Sequence, residues 1–382
     1  MARSALPATL SCSLGFLILF GFTPSARAEW TTVAESKVSY TDDVTNFSAS
    51  RRLKLSEDPS QPTGIPAQLS DVIWDPSLEV IRSSVSTLGP NELSVKAQGI
   101  IFTNNPVFNH GDYRLQFRQG LSPDTSLLLG YRNVPNQFLG PNFERRTENS
   151  LIEEERVSSH TWRTELEHRV SESWTLTLIG RYGLRFYNDA FAERDTKLWT
   201  VGPQVQYVVN PRMAVPLGYI YERGLADGRG NTQFNDDVSY RLHAISVGTD
   251  LALIESLSLR LAYIYRRKNF TSELLGDTNL NRHDGSHQGM AEFRYRLNQA
   301  ATLSASFQRT QRNSTVVTRD FNDTIYSLGG REAIVFEAIA LCLRRKEDMF
   351  SKTHTTFSPS NPLRPVAFWD SSLFVSDLEC LG

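Results

Sequence analysis

The sequence predicts an all-β fold, a transmembrane antiparallel up-and-down β-barrel of about fourteen strands with a non-barrel tail at its C-terminal end. Three observations predict it. Apolar and polar residues alternate in long runs, short turns take turns with longer polar loops, and aromatic residues gather near the ends of the runs.

Taken in order, residues 1–28 read as a cleavable export signal: Met1-Ala2-Arg3, an apolar stretch over 14–22, then the small-x-small triplet Ala26-Arg27-Ala28. The mature chain is therefore expected to begin near Glu29. Cys12 precedes the apolar stretch instead of following it, which argues against a lipid-anchored cysteine. A first strand is expected over 37–48. Residues 51–75, with Pro59, Pro62 and Pro66, cannot pair continuously and read as a long first loop or an inward-folded segment.

Strand pairs then fill the chain from Ser77 to Arg312, joined by short turns at 88–91, 122–124, 171–173, 210–212, 254–256 and 298–300. Longer polar connections fall near 104–111, 135–156, 188–194, 224–237, 269–285 and 313–319. Along 174–186 one face carries Trp174, Leu176, Leu178, Tyr182, Leu184 and Phe186, and the other carries Thr175, Thr177, Arg181 and Arg185. The same division separates Leu257, Leu259, Leu261, Tyr263 and Tyr265 from Ser258, Arg260 and Arg266. Phe293, Tyr295 and Leu297 oppose Glu292, Arg294 and Arg296 in turn. Pro203 and Pro216 lie inside strand runs and predict bulges or breaks, and a change of apolar phase between Tyr240 and Leu253 predicts another bulge. A last descending strand is expected over 321–330.

The composition, 21% charged and 40% hydrophobic with a formal net charge of -2, resembles that of a soluble protein and gives no sign of helical membrane spans. A barrel averages to the same values because its two faces cancel. The mature cysteines, Cys342 and Cys380, both fall in the tail, so the barrel region owes nothing to disulfides. A soluble β-sandwich would alternate as well. Against it stand the length of the runs and two aromatic groups on the apolar face. Trp162, Trp199, Phe186, Tyr219, Tyr221, Tyr263 and Tyr265 lie towards the long loops, and Trp174, Tyr207 and Tyr295 towards the short turns.

The amphipathic hairpins, the export signal and the phrases Phe234-Asn235-Asp236-Asp237-Val238-Ser239-Tyr240-Arg241 and Tyr263-Ile264-Tyr265-Arg266-Arg267 resemble the porin-like β-barrels of Gram-negative outer membranes over most of residues 30–330. That resemblance implies residence in the outer membrane with lipid and lipopolysaccharide as surroundings, insertion by the barrel assembly machinery, and passive passage of small hydrophilic solutes. It implies no enzyme activity and no cofactor, and nothing in the sequence points to nucleic acid.

If the polar face is the inner one, it is lined by Lys96, Arg114, Arg118, Arg132, Arg163, Arg169, Arg181, Arg185, Arg241, Arg260, Arg266, Arg294 and Arg296, against Glu165, Glu167 and Glu292. Such a wall is expected to be clearly cationic and to prefer anions. The bland alternative is a plugged structural barrel in which these charges only pair with one another. A barrel-wall hydrolase or a metal site would draw on His283, Asp284, Ser286 and His287, expected in one loop. His243 is expected to project inward. Residues 331–382 change character: 333–343 reads as a short apolar helix, and Pro359, Pro362 and Pro365 follow. Barrels of the resembled class end on an aromatic residue, whereas this chain ends Leu381-Gly382. The tail is read as the product of a shifted reading frame or as a periplasmic extension.

Overall fold

Strand-forming alternation without helix caps or helical periodicity leaves the chain one way to satisfy its backbone, which is to pair each run with the next. The computed structural model describes residues 29–46, 69–145 and 151–337. The expected export signal, most of the first loop, and the tail beyond 337 with Cys342 and Cys380 lie outside the described residues.

The strands are β1 (Glu29–Thr41), β2 (Asp71–Ser86), β3 (Gly89–Phe102), β4 (His110–Ser122), β5 (Thr125–Phe143), β6 (Ile152–Arg169) and β7 (Trp174–Tyr187). They continue as β8 (Thr196–Asn210), β9 (Met213–Ala226), β10 (Tyr240–Ile254), β11 (Leu257–Phe270), β12 (His283–Arg296), β13 (Ala301–Ser314) and β14 (Phe321–Glu337). Each pairs antiparallel with its neighbours in sequence, and β1 pairs β14 to close the barrel. Closure leaves no strand edge with unpaired amides, which is the condition for a sheet that faces lipid.

Side chains alternate as the period of two demands. On β7, Leu176, Leu178, Tyr182 and Phe186 are exposed, while Ile179 and Arg181 are buried. Leu178, with 54% of its surface open, is a large apolar side chain displayed on the outer wall near the middle of its strand. Exposed apolar residues recur around the circumference, at Val38, Leu78, Val95, Leu217, Val247, Leu261 and Leu328. A soluble sheet protein would bury these and expose the other face.

Several expectations are corrected. The first strand runs over Glu29–Thr41 and the second begins at Asp71, so both start earlier than their alternation suggested. Residues 135–156 are not all loop: β5 and β6 pair as far as Phe143 and Ile152. Turn-forming residues lie within the paired region. The ladder absorbs them with register shifts between Val134 and Gln137 and between Phe138 and Gly140, where Asn136 (φ 50) and Gly140 (φ 122) take up left-handed backbone. At the other end β14 continues through Arg331–Glu337, paired with β1, so residues 333–337 are strand and not the start of a helix.

Both strand prolines act as expected, each on one ladder. Pairing of β8 with β9 skips from Val201/Tyr221 to Gln204/Gly218 around Pro203, and pairing of β9 with β10 skips from Leu217/Val247 to Ala214/Asp250 around Pro216. Register resumes unchanged after each gap, so these are breaks and not bulges. The phase change in β10 has another cause: Leu242 and Ala244 are buried on the inner side, and the register shift lies at the turn, between Ala252 and Ile254.

Gly202 occupies the first of those gaps, and a β-carbon there would collide with the Tyr219 carbonyl and sit 2.9 Å from Ile220 Cα. Because the obstacle is backbone, Gly202→Ala is expected to destabilise the barrel by about 1–3 kcal/mol, read as a lower urea midpoint. An unchanged midpoint would show that β8 and β9 are further apart here.

Candidate functional site

The inner wall and the mouth on the long-loop side hold the chemistry of the molecule. All of the residues expected on the polar face of β4, β6, β7, β11 and β12 share the inward-facing set: Arg114, Arg118, Arg163, Glu165, Glu167, Arg181, Arg185, Arg260, Arg266, Glu292, Arg294 and Arg296. Lys96, Arg132 and Arg169 join them. Strand pairing then fixes who meets whom. Arg114 faces Arg132 across β4 and β5, and Arg163 faces Arg181 across β6 and β7.

Such like-charged neighbours need relief. Asp112 supplies it, reaching Arg114 at 2.7 Å and Arg132 at 3.0 Å, and Glu165 pairs with Arg163. Lys37 meets Asp75 at 3.1 Å, Lys96 meets Glu35 at 3.5 Å, Arg260 meets Asp250 at 2.6 Å and Arg294 meets Glu292 at 2.6 Å. Arg266 donates to the Gln288 side chain at 2.6 Å, and Arg118 to Ser126 at 3.3 Å. The wall is thus more evenly charged than its arginines alone suggested. Asp75, Asp112, Asp250 and Glu35 were missed although alternation could have found them, since each falls in phase with the inward arginines or lysines of its own hairpin.

The basic side chains are not spread uniformly. Lys96, Arg114 and Arg132 stand side by side on β3, β4 and β5, and Arg163 and Arg181 follow on β6 and β7 near mid-height. Further round the wall the inward residues are mixed: Glu222 beside Thr200, Ser246 beside Ile264, and Glu292 between Arg260 and Ser306. The strip from Lys96 to Arg181 therefore carries five bases against Glu35, Asp112 and Glu165.

At the mouth, loops fold together over the inner side. Arg194 ends a short 3-10 segment, Asp189–Arg194, in the connection from β7 to β8. Its guanidinium donates to Glu155 of β6 at 2.6 Å and to Asp236 of the β9–β10 loop at 2.6 Å, and lies 5.0 Å from the Phe191 ring, which is 0% exposed. Burial opposes its charge, but the two carboxylates outweigh burial and hold Arg194 above its usual range, so it stays a cation. The Asp237 amide donates to Asp277 at 2.9 Å, tying that loop to the β11–β12 loop. Sequence reasoning missed Arg194, because nothing local marks a loop arginine as the meeting point of two connections and a strand end.

Two expected inward positions are corrected. Arg241 and His243 lie on the outer face of β10, where the Tyr219 hydroxyl meets His243 Nδ1 at 2.8 Å. The His283–His287 group is corrected too: it lies in β12 and not in a loop, so the sheet itself divides it. His283 and His287 are exposed outside, while Asp284 and Ser286 are buried inside. Neither a triad nor a shared metal can form across that wall. Among the described residues no group of His, Cys, Asp and Glu gathers as a metal site.

A closed antiparallel barrel of fourteen strands, apolar outside and ion-paired inside, has the architecture of a porin-like outer-membrane barrel. No protein-family model matches the chain, and no curated protein matches it in sequence. Among solved structures it is similar to the outer membrane channel DcaP of Acinetobacter baumannii, with a TM-score of 0.47, 12% identity, and 82% of this chain and 99% of that chain covered. It is also similar to a bacterial polysaccharide outer membrane secretin, with a TM-score of 0.46, 9% identity, and 79% and 98% covered. An anion-selective porin from Comamonas acidovorans aligns with a TM-score of 0.41, 8% identity, and 80% and 99% covered. The barrel assignment stands on the strand register of this chain.

Proposed function

We propose that the chain is an outer-membrane channel of a Gram-negative bacterium that lets small hydrophilic solutes cross passively, with a preference for anions. The observation that carries this reading is the inversion of a soluble fold: apolar residues cover the outside and charged residues cover the inside of a closed barrel. With short turns at one end and long loops at the other, the long-loop mouth is the extracellular one. Lipid and lipopolysaccharide surround the outer face, and the barrel assembly machinery inserts it. The cationic strip from Lys96 to Arg181 supports the preference for anions.

Planar-bilayer recording of the folded chain tests this. Anion-selective current is expected, and Arg132→Gln combined with Arg163→Gln is expected to lower the anion-to-cation permeability ratio about twofold or more. Cation selectivity in the unmodified chain would reject the preference. A second reading, a closed structural barrel without conductance, is favoured by the Arg194 contacts across the mouth. Silence of a folded barrel, both unmodified and with those contacts removed, would select it.

A further inference from the structure

On four consecutive strands the outward-facing residue just beyond the aromatic belt, towards the long loops, is basic. Lys197 follows Trp199 on β8, Arg223 follows Tyr221 on β9, Arg241 follows His243 on β10, and Arg267 follows Tyr265 on β11. Two residues of strand separate each base from its ring, about 7 Å along the chain. The short-turn end of the same strands carries Val209, Val215, Leu253 and Leu259 on its outer face, with no base among them. On these four strands the basic band is confined to the long-loop end; β12 then carries Gly285 at the matching outer position, and Arg309, beyond Phe307 on β13, stands apart from the band.

Pairing makes this band costly as it stands. Arg223 and Arg241 are direct partners across β9 and β10, and Arg267 lies on the next strand, opposite the His243 ring. Like charges directly opposed destabilise a sheet. Inside the barrel the corresponding pair, Arg114 and Arg132, has Asp112 between them. Outside, no carboxylate among the described residues pairs with Arg223 or Arg241, and Lys197 reaches Asp227 only at 3.8 Å. Among the described residues the Arg267 guanidinium donates to the Asn269 side chain alone, at 3.3 Å.

We infer that Lys197, Arg223, Arg241 and Arg267 form a binding site for the phosphate groups of an outer-leaflet glycolipid. Guanidinium pairs hold phosphate in a bidentate manner, and a phosphate between Arg223 and Arg241 removes their repulsion. The position selects lipid over a free anion: the aromatic belt marks the headgroup level, the bases lie just beyond it, and the apolar wall below takes acyl chains. This inference rests on the outer-membrane reading above, and goes beyond it by naming one sector and one chemical group.

The test uses the folded mature chain in phosphatidylcholine vesicles with or without bisphosphorylated lipid A, extracted in mild detergent and weighed by native mass spectrometry. Retained lipid A is expected on the unmodified barrel, with binding about tenfold weaker in Arg223→Gln/Arg241→Gln. The outward Arg309→Gln on β13, outside the sector, is expected to bind as the unmodified chain does, and Arg223→Lys/Arg241→Lys to keep most of the affinity. Equal retention of lipid A lacking its phosphates, no loss in the double glutamine variant, or displacement by millimolar inorganic phosphate would overturn the site. Heat-modifiable gel migration is read in parallel: its absence in the unmodified chain counts against the barrel reading, whereas its presence with any of those outcomes counts against the lipid site alone.

Discussion

Replacing Arg194 with Ala is expected to open the long-loop mouth, seen as a several-fold rise in single-channel conductance and rapid proteolysis within residues 227–239. The effect is large because Arg194 satisfies two carboxylates at once. Its loss leaves Glu155 and Asp236, both buried, with their principal cation gone. Removing one partner of a buried ion pair costs about 3–5 kcal/mol, and here the cost falls on loop closure and not on the strand ladders. The 3-10 segment loses the contact of Arg194 with the Phe191 ring as well. The Asp277 acceptor for the Asp237 amide and the backbone hydrogen bonds of Asp227 and Gly228 to Asp195 and Glu193 remain, so the β9–β10 loop loses its ion pair and keeps its ends anchored. Asp236→Asn is expected to give a smaller change in the same direction, because Arg194 keeps Glu155. A variant with unaltered conductance and unaltered protease resistance would show that these contacts do not close the mouth.

The second large effect distinguishes the two faces of the wall. Leu178→Arg, on the outer side of β7, is expected to destabilise the barrel in a bilayer by about 2–4 kcal/mol, the cost of an arginine at the lipid midplane. Ser306→Arg, on the inner side of β13 and paired across the ladder with Glu292, is expected to change stability by less than about 1 kcal/mol, since the new cation meets water and a carboxylate. Urea unfolding from vesicles measures both. Equal costs would mean that the two faces meet the same solvent.

The barrel was legible because its strongest signal is geometric and repeated. Wherever residues such as Leu176, Leu178, Tyr182 and Phe186 alternate with Thr177 and Arg181, orientation follows from the pleat alone. Turns followed from their Asn, Pro, Asp and Ser content to within a few residues, as at 210–212, where the structure leaves 211–212 between β8 and β9. Legibility failed where an inward residue is itself apolar. Leu242 and Ala244 face inside near the mouth, which reversed the apparent phase of β10 and sent His243 and Arg241 to the wrong face. It also failed where turn-forming residues sit inside a strand, as Asn136 and Gly140 do, because a bulge and a turn share the same local chemistry. The acids that temper the inner wall were readable in principle from their phase. The Arg194 clamp was not, since it depends on which loops meet in space.

The most direct test of the whole account is a cysteine scan along 175–182 of β7, in a chain with Cys342 and Cys380 replaced, labelled with an environment-sensitive fluorophore after insertion into lipid vesicles. The account predicts blue-shifted emission, quenched by lipid-borne quencher, at 176, 178 and 182, and red-shifted emission, quenched by aqueous iodide, at 175, 177 and 181. Iodide reaching the first set while the second is shielded, in a chain that stays monodisperse without detergent, would contradict it.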